Sequence, residues 1–109
     1  MRVRSLILLM LFVLAFLLGQ QTLHAQPGTD EQLALQFYQN KEYDKALDYY
    51  EKLFSKKNNA AFYQPYLNCL LETKDFKKAE KLVKKQQKQQ PDNLSYGVDL
   101  GIVYTRSEE

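Results

Sequence analysis

KEYDKALDYY, residues 41–50, is written a second time in altered form as KDFKKAEKLV, residues 74–83. Laid over each other, the two share Lys, an acid, an aromatic and then Lys-Ala, 33 residues apart. In the first copy Tyr43, Ala46, Leu47 and Tyr50 recur at helical spacing, and Leu53 and Phe54 extend the stripe. In the second, Phe76, Ala79, Leu82 and Val83 do the same. Each is therefore an amphipathic helix with one apolar face. Self-similarity at a fixed period of this length is the mark of stacked repeats.

Working outward, each copy has a helix before it. Leu33, Ala34, Phe37 and Tyr38 form the stripe ahead of the first, and QNKE, residues 39–42, interrupts. Thr29 or Asp30 is suited to cap that helix. SKKNN, residues 55–59, closes the second helix, and Asn58 or Asn59 would cap the third. The third carries Phe62, Tyr63, Tyr66, Leu67, Leu70 and Leu71, with Pro65 inside the pattern. Proline is comfortable in a first turn and costly deeper in a helix, so this one starts near Gln64 or bends there. ETKD, residues 72–75, makes the next break, and the fourth helix runs from about Phe76 to Gln89, ahead of Pro91. A fifth apolar segment holds Val98, Leu100, Ile102, Val103 and Tyr104, and in phase with the others GIVY reads as helix rather than strand.

The register is specific. Leu33-Ala34, Tyr66-Leu67 and Leu100-Gly101 match at intervals of 33 and then 34, each followed three residues later by Phe37, Leu70 or Tyr104. In the second helices Tyr43 and Phe76 precede Ala46 and Ala79 by three. This pattern resembles the tetratricopeptide repeat family, whose unit is a 34-residue antiparallel helix pair. LGIVY, residues 100–104, matches the Leu-Gly-x-x-Tyr part of that unit. Three departures stand out. Leu67 takes the place of a small residue, which would hold the second unit's helices further apart. Leu53 and Gln86 replace the later Ala, and Asn58 stands where a Pro would fall. The resemblance implies an all-α solenoid of stacked antiparallel hairpins, with repeat 1 over about 27–59, repeat 2 over about 60–93 and a partial repeat 3 over about 94–109. Small residues at Ala46 and Ala79 let helices approach closely, while Phe37, Leu70 and Tyr104 fill the gaps between neighbours. The third unit has a first helix without a second, so Leu100, Val103 and Tyr104 would lie partly bare. The chain then reads as the front end of a longer array, or as one whose end is covered by another chain or by self-association.

The first residues read differently. Arg2 and Arg4, the 13-residue apolar run Leu6–Leu18 and the polar exit GQQTLHAQ make residues 1–25 a secretory signal peptide, cleaved after Ala25. A span of the bilayer needs about 20 apolar residues, more than this run has. Export to the periplasm or beyond follows. Cleavage removes two of the fifteen Lys and Arg, leaving thirteen against thirteen Asp and Glu, so the mature chain is formally neutral. It also removes His24, the one histidine. Cys69 is the one cysteine, which excludes a disulfide within the chain and suits burial as a small apolar side chain.

No bond chemistry is suggested. The mature chain has no histidine to shuttle protons or to activate Cys69, and its glycines are too scattered for a phosphate loop. Asp44, Asp48 and Glu51 interleave with Lys41, Lys45 and Lys52, the pattern of surface ion pairs. No cofactor, metal or small-molecule substrate is expected. Between Lys74 and Lys88 lie seven lysines, of which Lys77, Lys81, Lys84 and Lys88 form one stripe. Its plain reading is a solvated helix face. Its functional one is docking to an acidic partner or an anionic envelope surface. Nucleic acid is not expected of an exported chain with no aromatic in that stripe. The family resemblance implies that first helices line a concave groove. By phase Glu31, Leu35 and Tyr38 face it in the first unit, Gln64, Asn68 and Leu71 in the second, and Val98, Ile102 and Thr105 in the third. That mixed apolar and amide surface suits a protein or peptide segment. Asn68 alone resembles part of the family's carboxylate clamp. The expectation is a non-catalytic protein-binding scaffold of the cell envelope, or else an adaptor working through the lysine stripe. A third reading is the non-catalytic part of a longer enzyme.

Overall fold

A computed structural model describes residues 2–21, 28–57 and 60–109. Six helices make up the described chain, with no strand among them: α1 (Arg2–Gln21), α2 (Thr29–Gln39), α3 (Tyr43–Lys57), α4 (Ala60–Glu72), α5 (Phe76–Gln89) and α6 (Ser95–Ser107). Among the described side chains, none from the apolar α1 belongs to the core. Among the described residues no helix is long and apolar enough to cross a membrane. The expected cleavage point after Ala25 lies outside the described residues, as do Asn58 and Asn59. From α2 onward each helix packs on the next.

The repeated segment owes its start to a repeated turn. At the end of α2 the Glu42 N–H donates to the Phe37 carbonyl at 2.8 Å and the Lys41 N–H to that of Tyr38 at 3.0 Å. At the end of α4 the Asp75 N–H donates to the Leu70 carbonyl at 2.9 Å and the Lys74 N–H to that of Leu71 at 3.1 Å. These paired six-to-one and five-to-two bonds are the Schellman closure of a helix. It requires a left-handed residue just past the helix, and Lys41 (φ 61°) and Lys74 (φ 63°) supply it. The next helix starts at once in both places, with Ala46 and Ala79 donating back to the Glu42 and Asp75 carbonyls at 3.0 Å. The Asp75 carboxylate also caps α5, accepting from the Lys78 N–H at 3.3 Å.

The core forms where the stripes meet. Ala34, Ala46 and Ala79 have no exposed surface, and Leu67, Leu70, Val83, Val103 and Cys69 are the largest fully buried side chains. Each such aliphatic residue contributes roughly 1.5–3 kcal/mol of burial free energy. Contacts reach past the neighbouring helix and define layers. The Asn68 amide on α4 donates to the Tyr38 hydroxyl on α2 at 2.9 Å. Lys78 on α5 pairs with Glu51 on α3 at 2.6 Å. The Tyr63 hydroxyl on α4 donates to Asp99 on α6 at 2.8 Å, and its ring meets Tyr96 edge-on at 5.2 Å.

Several local expectations are corrected. Thr29 and Asp30 lie inside α2, and Gly28 precedes it as the cap, its carbonyl accepting from the Glu31 and Gln32 amides. α3 runs on to Lys57, so it ends within the SKKNN segment. The ordered part of α4 begins at Ala60, so Pro65 sits within the helix. Val103, expected partly bare, is buried because α6 lays it against the preceding hairpin along with Tyr96. The bare apolar positions are Leu94, just ahead of α6, and Val98, Ile102 and Tyr104 within it. Gly101 has open space around it, where its counterparts Ala34 and Leu67 are covered.

Candidate binding surfaces

The residues expected to line a groove lie on the first helices α2, α4 and α6. On α2, Leu35 is exposed, while Glu31 and Tyr38 are half-buried. The Tyr38 ring is held edge-on by Tyr43 and Tyr50, at 5.6 and 5.9 Å between centroids. On α4, the Gln64 amide donates to the Asn68 side-chain oxygen at 3.4 Å, and Asn68 donates in turn to Tyr38. Gln64, Asn68 and Tyr38 thus form a polar string running from one repeat to the other. Val98 (66% exposed), Ile102 and Thr105 continue the face on α6, the Thr105 hydroxyl bonding back to the Gly101 carbonyl at 2.9 Å.

Leu71 does not belong to this surface. At 4% exposure it is a core residue. α4 is the middle first helix, with a layer on either side, so more of its circumference is covered than on α2 or α6. Amide side chains therefore cluster on α4 beside Tyr38, and bare apolar side chains stand on α6.

Lys77, Lys81, Lys84 and Lys88 are exposed on α5. Lys84 is bound to Glu80 at 2.7 Å, and the Tyr104 hydroxyl donates to the same carboxylate at 3.0 Å. Both contacts hold the Glu80 carboxyl below its ordinary pKa, and the carboxylate raises that of Lys84. Among the described residues the stripe thus presents Lys77, Lys81 and Lys88 without a carboxylate partner, while Lys84 is neutralised locally.

A second surface escaped the sequence reading. Between α3 and α5 a cleft of about 430 Å³ has Phe54, Tyr66 and Leu82 as its floor, with Ser55 on one side and Lys78, Lys81 and Lys85 on the other. The lysines recur at i, i+3 and i+7, a register that shares Lys81 with the one singled out from sequence. Finding it requires knowing that the C-terminal half of α3 faces α5, a contact between repeats.

Cys69 has no exposed surface, and burial pushes its thiol up to about 12. It is held as the unreactive thiol at neutral pH. Among the described residues no three His, Cys, Asp or Glu side chains converge as metal ligands do.

Helical hairpins in one register, joined by identical turns and stacked in layers, define an α-solenoid. The sequence profile of the tetratricopeptide repeat matches residues 37–100, and the chain belongs to that family. Neither curated proteins nor solved structures yield a match. Repeats of this family are non-catalytic and generally mediate protein–protein interaction.

Proposed function

We propose that this chain is a non-catalytic protein-binding scaffold of the cell envelope, holding a partner segment on the face shared by α2, α4 and α6. The observation that carries the reading is the Gln64–Asn68–Tyr38 string with Leu35 beside it and Val98 and Ile102 beyond. It offers amide donors and acceptors for a peptide backbone and apolar places for side chains, on a rigid support. Recognition is by shape and side-chain complementarity. The basic start and apolar run of residues 1–25 support export, with the repeat region acting in the periplasm or outside the cell. Self-association through the bare end of α6 fits the same picture.

The adaptor reading, docking to an anionic envelope surface or acidic partner through Lys77–Lys88, rests on three lysines in one line with no carboxylate partner among the described residues. A pull-down from the native cell envelope separates the two. Tyr38→Ala should abolish capture by the groove, and capture should survive raised salt. Reversal of Lys77, Lys81, Lys84 and Lys88 to Glu should abolish capture by the stripe, which should also collapse as ionic strength rises. Retention of the same partners by both variants refutes both readings.

A further inference from the structure

The α3–α5 cleft is rimmed by second helices, and α4 reaches it through Tyr66 in its floor. Its floor is apolar and aromatic, with Phe54 and Tyr66 5.5 Å apart between ring centroids and Leu82 beside them. Its rim is basic and largely uncompensated. Lys78 is engaged by Glu51 at 2.6 Å, but Lys81 and Lys85 have no carboxylate within ion-pair distance among the described residues. Lys81 and Lys85 stand one helical turn apart, so their ammonium groups sit on the same side of the cleft. Glu51 and Asp75 are the acids that act on this region, both on Tyr66 and Lys78, and Lys78 already answers Glu51. The charge that completes the cleft is therefore negative.

The cleft is open to solvent along its length. A free small molecule needs a pocket that covers most of its surface. An acyl chain laid on this floor would stay wet on its outer side. A protein segment does not, because its own body covers the outer side, and an apolar centre with a charged rim is the usual build of such an interface. We propose that this cleft is a second binding site, taking an acidic peptide segment that rests one bulky apolar side chain on Phe54, Tyr66 and Leu82 and sets flanking carboxylates against Lys81 and Lys85. The site is independent of the groove on the first helices, and a scaffold with both would hold two partners on different faces.

The test uses the purified protein and a fluorescein-labelled peptide, Glu-Asp-Phe-Asp-Glu, read by fluorescence anisotropy. Replacing Lys81 and Lys85 together by Glu should weaken binding by about tenfold or more, as loss of matched interface charges does. Replacing Lys77 and Lys88 by Glu makes the same change in net charge but off the cleft, and should alter binding by less than about twofold. Exchange of the peptide's Phe for Gly should weaken it comparably to the cleft variant. Circular dichroism checks folding, and the Lys81→Gln, Lys85→Gln pair serves should the reversed pair unfold. Equal loss in the two reversed pairs overturns the proposal in favour of diffuse attraction. Indifference to the Phe, absence of peptide binding, or binding of phosphatidylglycerol vesicles in place of the peptide overturns it as well. None of these outcomes bears on Tyr38 or the groove.

Discussion

The α2–α3 and α4–α5 hairpins share a turn bond for bond and differ in what lies between their helices. In the first, Ala34 on α2 and Ala46 on α3 are both fully covered, and the backbones run close together over most of their length. In the second, Leu67 stands where Ala34 does, opposite Ala79, and close approach is confined to a shorter stretch. Aromatic rings knit the first hairpin, with Tyr38 against Tyr43 and Tyr50, and Phe37 stacked on Tyr49. The second relies on aliphatic Leu67, Leu70, Leu82 and Val83. The comparison teaches that the turn sets the register, whereas one side chain at the crossing sets the spacing. A repeat can widen without losing its place in the stack.

The hairpins also differ in titratable groups. The central helix α4 buries Tyr63, Tyr66 and Cys69, where α2 has Asp30, Leu33 and Gln36. Burial raises all three above their ordinary values, and the bond to Asp99 raises Tyr63 further. In the first hairpin Tyr50 is raised, again chiefly by burial. A group whose pKa is higher when folded favours the folded state at any pH below its unfolded value. That contribution is lost as pH rises through the unfolded toward the folded value. Unfolded thiols titrate near pH 9 and tyrosines near pH 10 (roughly). The largest expected effect is therefore alkaline unfolding that starts above about pH 9. Thermal melts at pH 8 and pH 11 should show a steep fall, and Tyr63→Phe should flatten the slope whatever it does at pH 8. An unchanged slope would break the assignment to α4.

Transposing the crossing residues tests spacing directly. Leu67→Ala empties a fully covered site and should cost about 3 kcal/mol by urea denaturation. The reverse change, Ala34→Leu, inserts the wider residue between closely packed helices and should cost about 2 kcal/mol through overpacking. If spacing is set by these two positions, the double variant should be less unstable than the sum of the singles, read as a coupling between the hairpins.

Much of this arrangement was legible beforehand, because apolar spacing reports helix faces directly. The α5 limits, the matched register and the covered positions of Ala46 and Ala79 all follow from it. What it hid depends on neighbours outside the helix. Leu71 shares the phase of Tyr38, yet the middle helix is covered from both sides. The α3–α5 cleft joins residues of two repeats, and the period within either one does not reveal it. The left-handed Lys41 and Lys74 were hidden for another reason: the usual signal there is glycine, and lysine carries none.

Gln86 sharpens the contrast between second helices. It is buried with its side-chain nitrogen unpaired, where α3 has Leu53. An unsatisfied buried amide costs about 1–3 kcal/mol. Gln86→Leu copies the first repeat into the second and should stabilise the protein by about 1 kcal/mol, seen as a higher urea midpoint at unchanged slope. A lower midpoint would mean that the amide has a partner in solution that leucine cannot replace.

The smallest effect concerns what the hairpins have in common. Lys41 and Lys74 both hold the left-handed conformation that closes the preceding helix, at φ 61° and 63°. For a residue with a Cβ this conformation costs roughly 1 kcal/mol, and glycine escapes most of that cost. Both lysine side chains are exposed and engage no carboxylate at ion-pair distance among the described residues, so their removal sacrifices little else. Glycine also enlarges the freedom of the unfolded chain, which takes back part of the gain. Lys41→Gly and Lys74→Gly should therefore each stabilise by somewhat less than about 1 kcal/mol, and by equal amounts, because their hydrogen bonds agree to within a tenth of an ångström. A gain at one turn and a loss at the other would show that the two closures are alike in geometry but not in strain, and that the spacing set by Leu67 is felt at the end of α4.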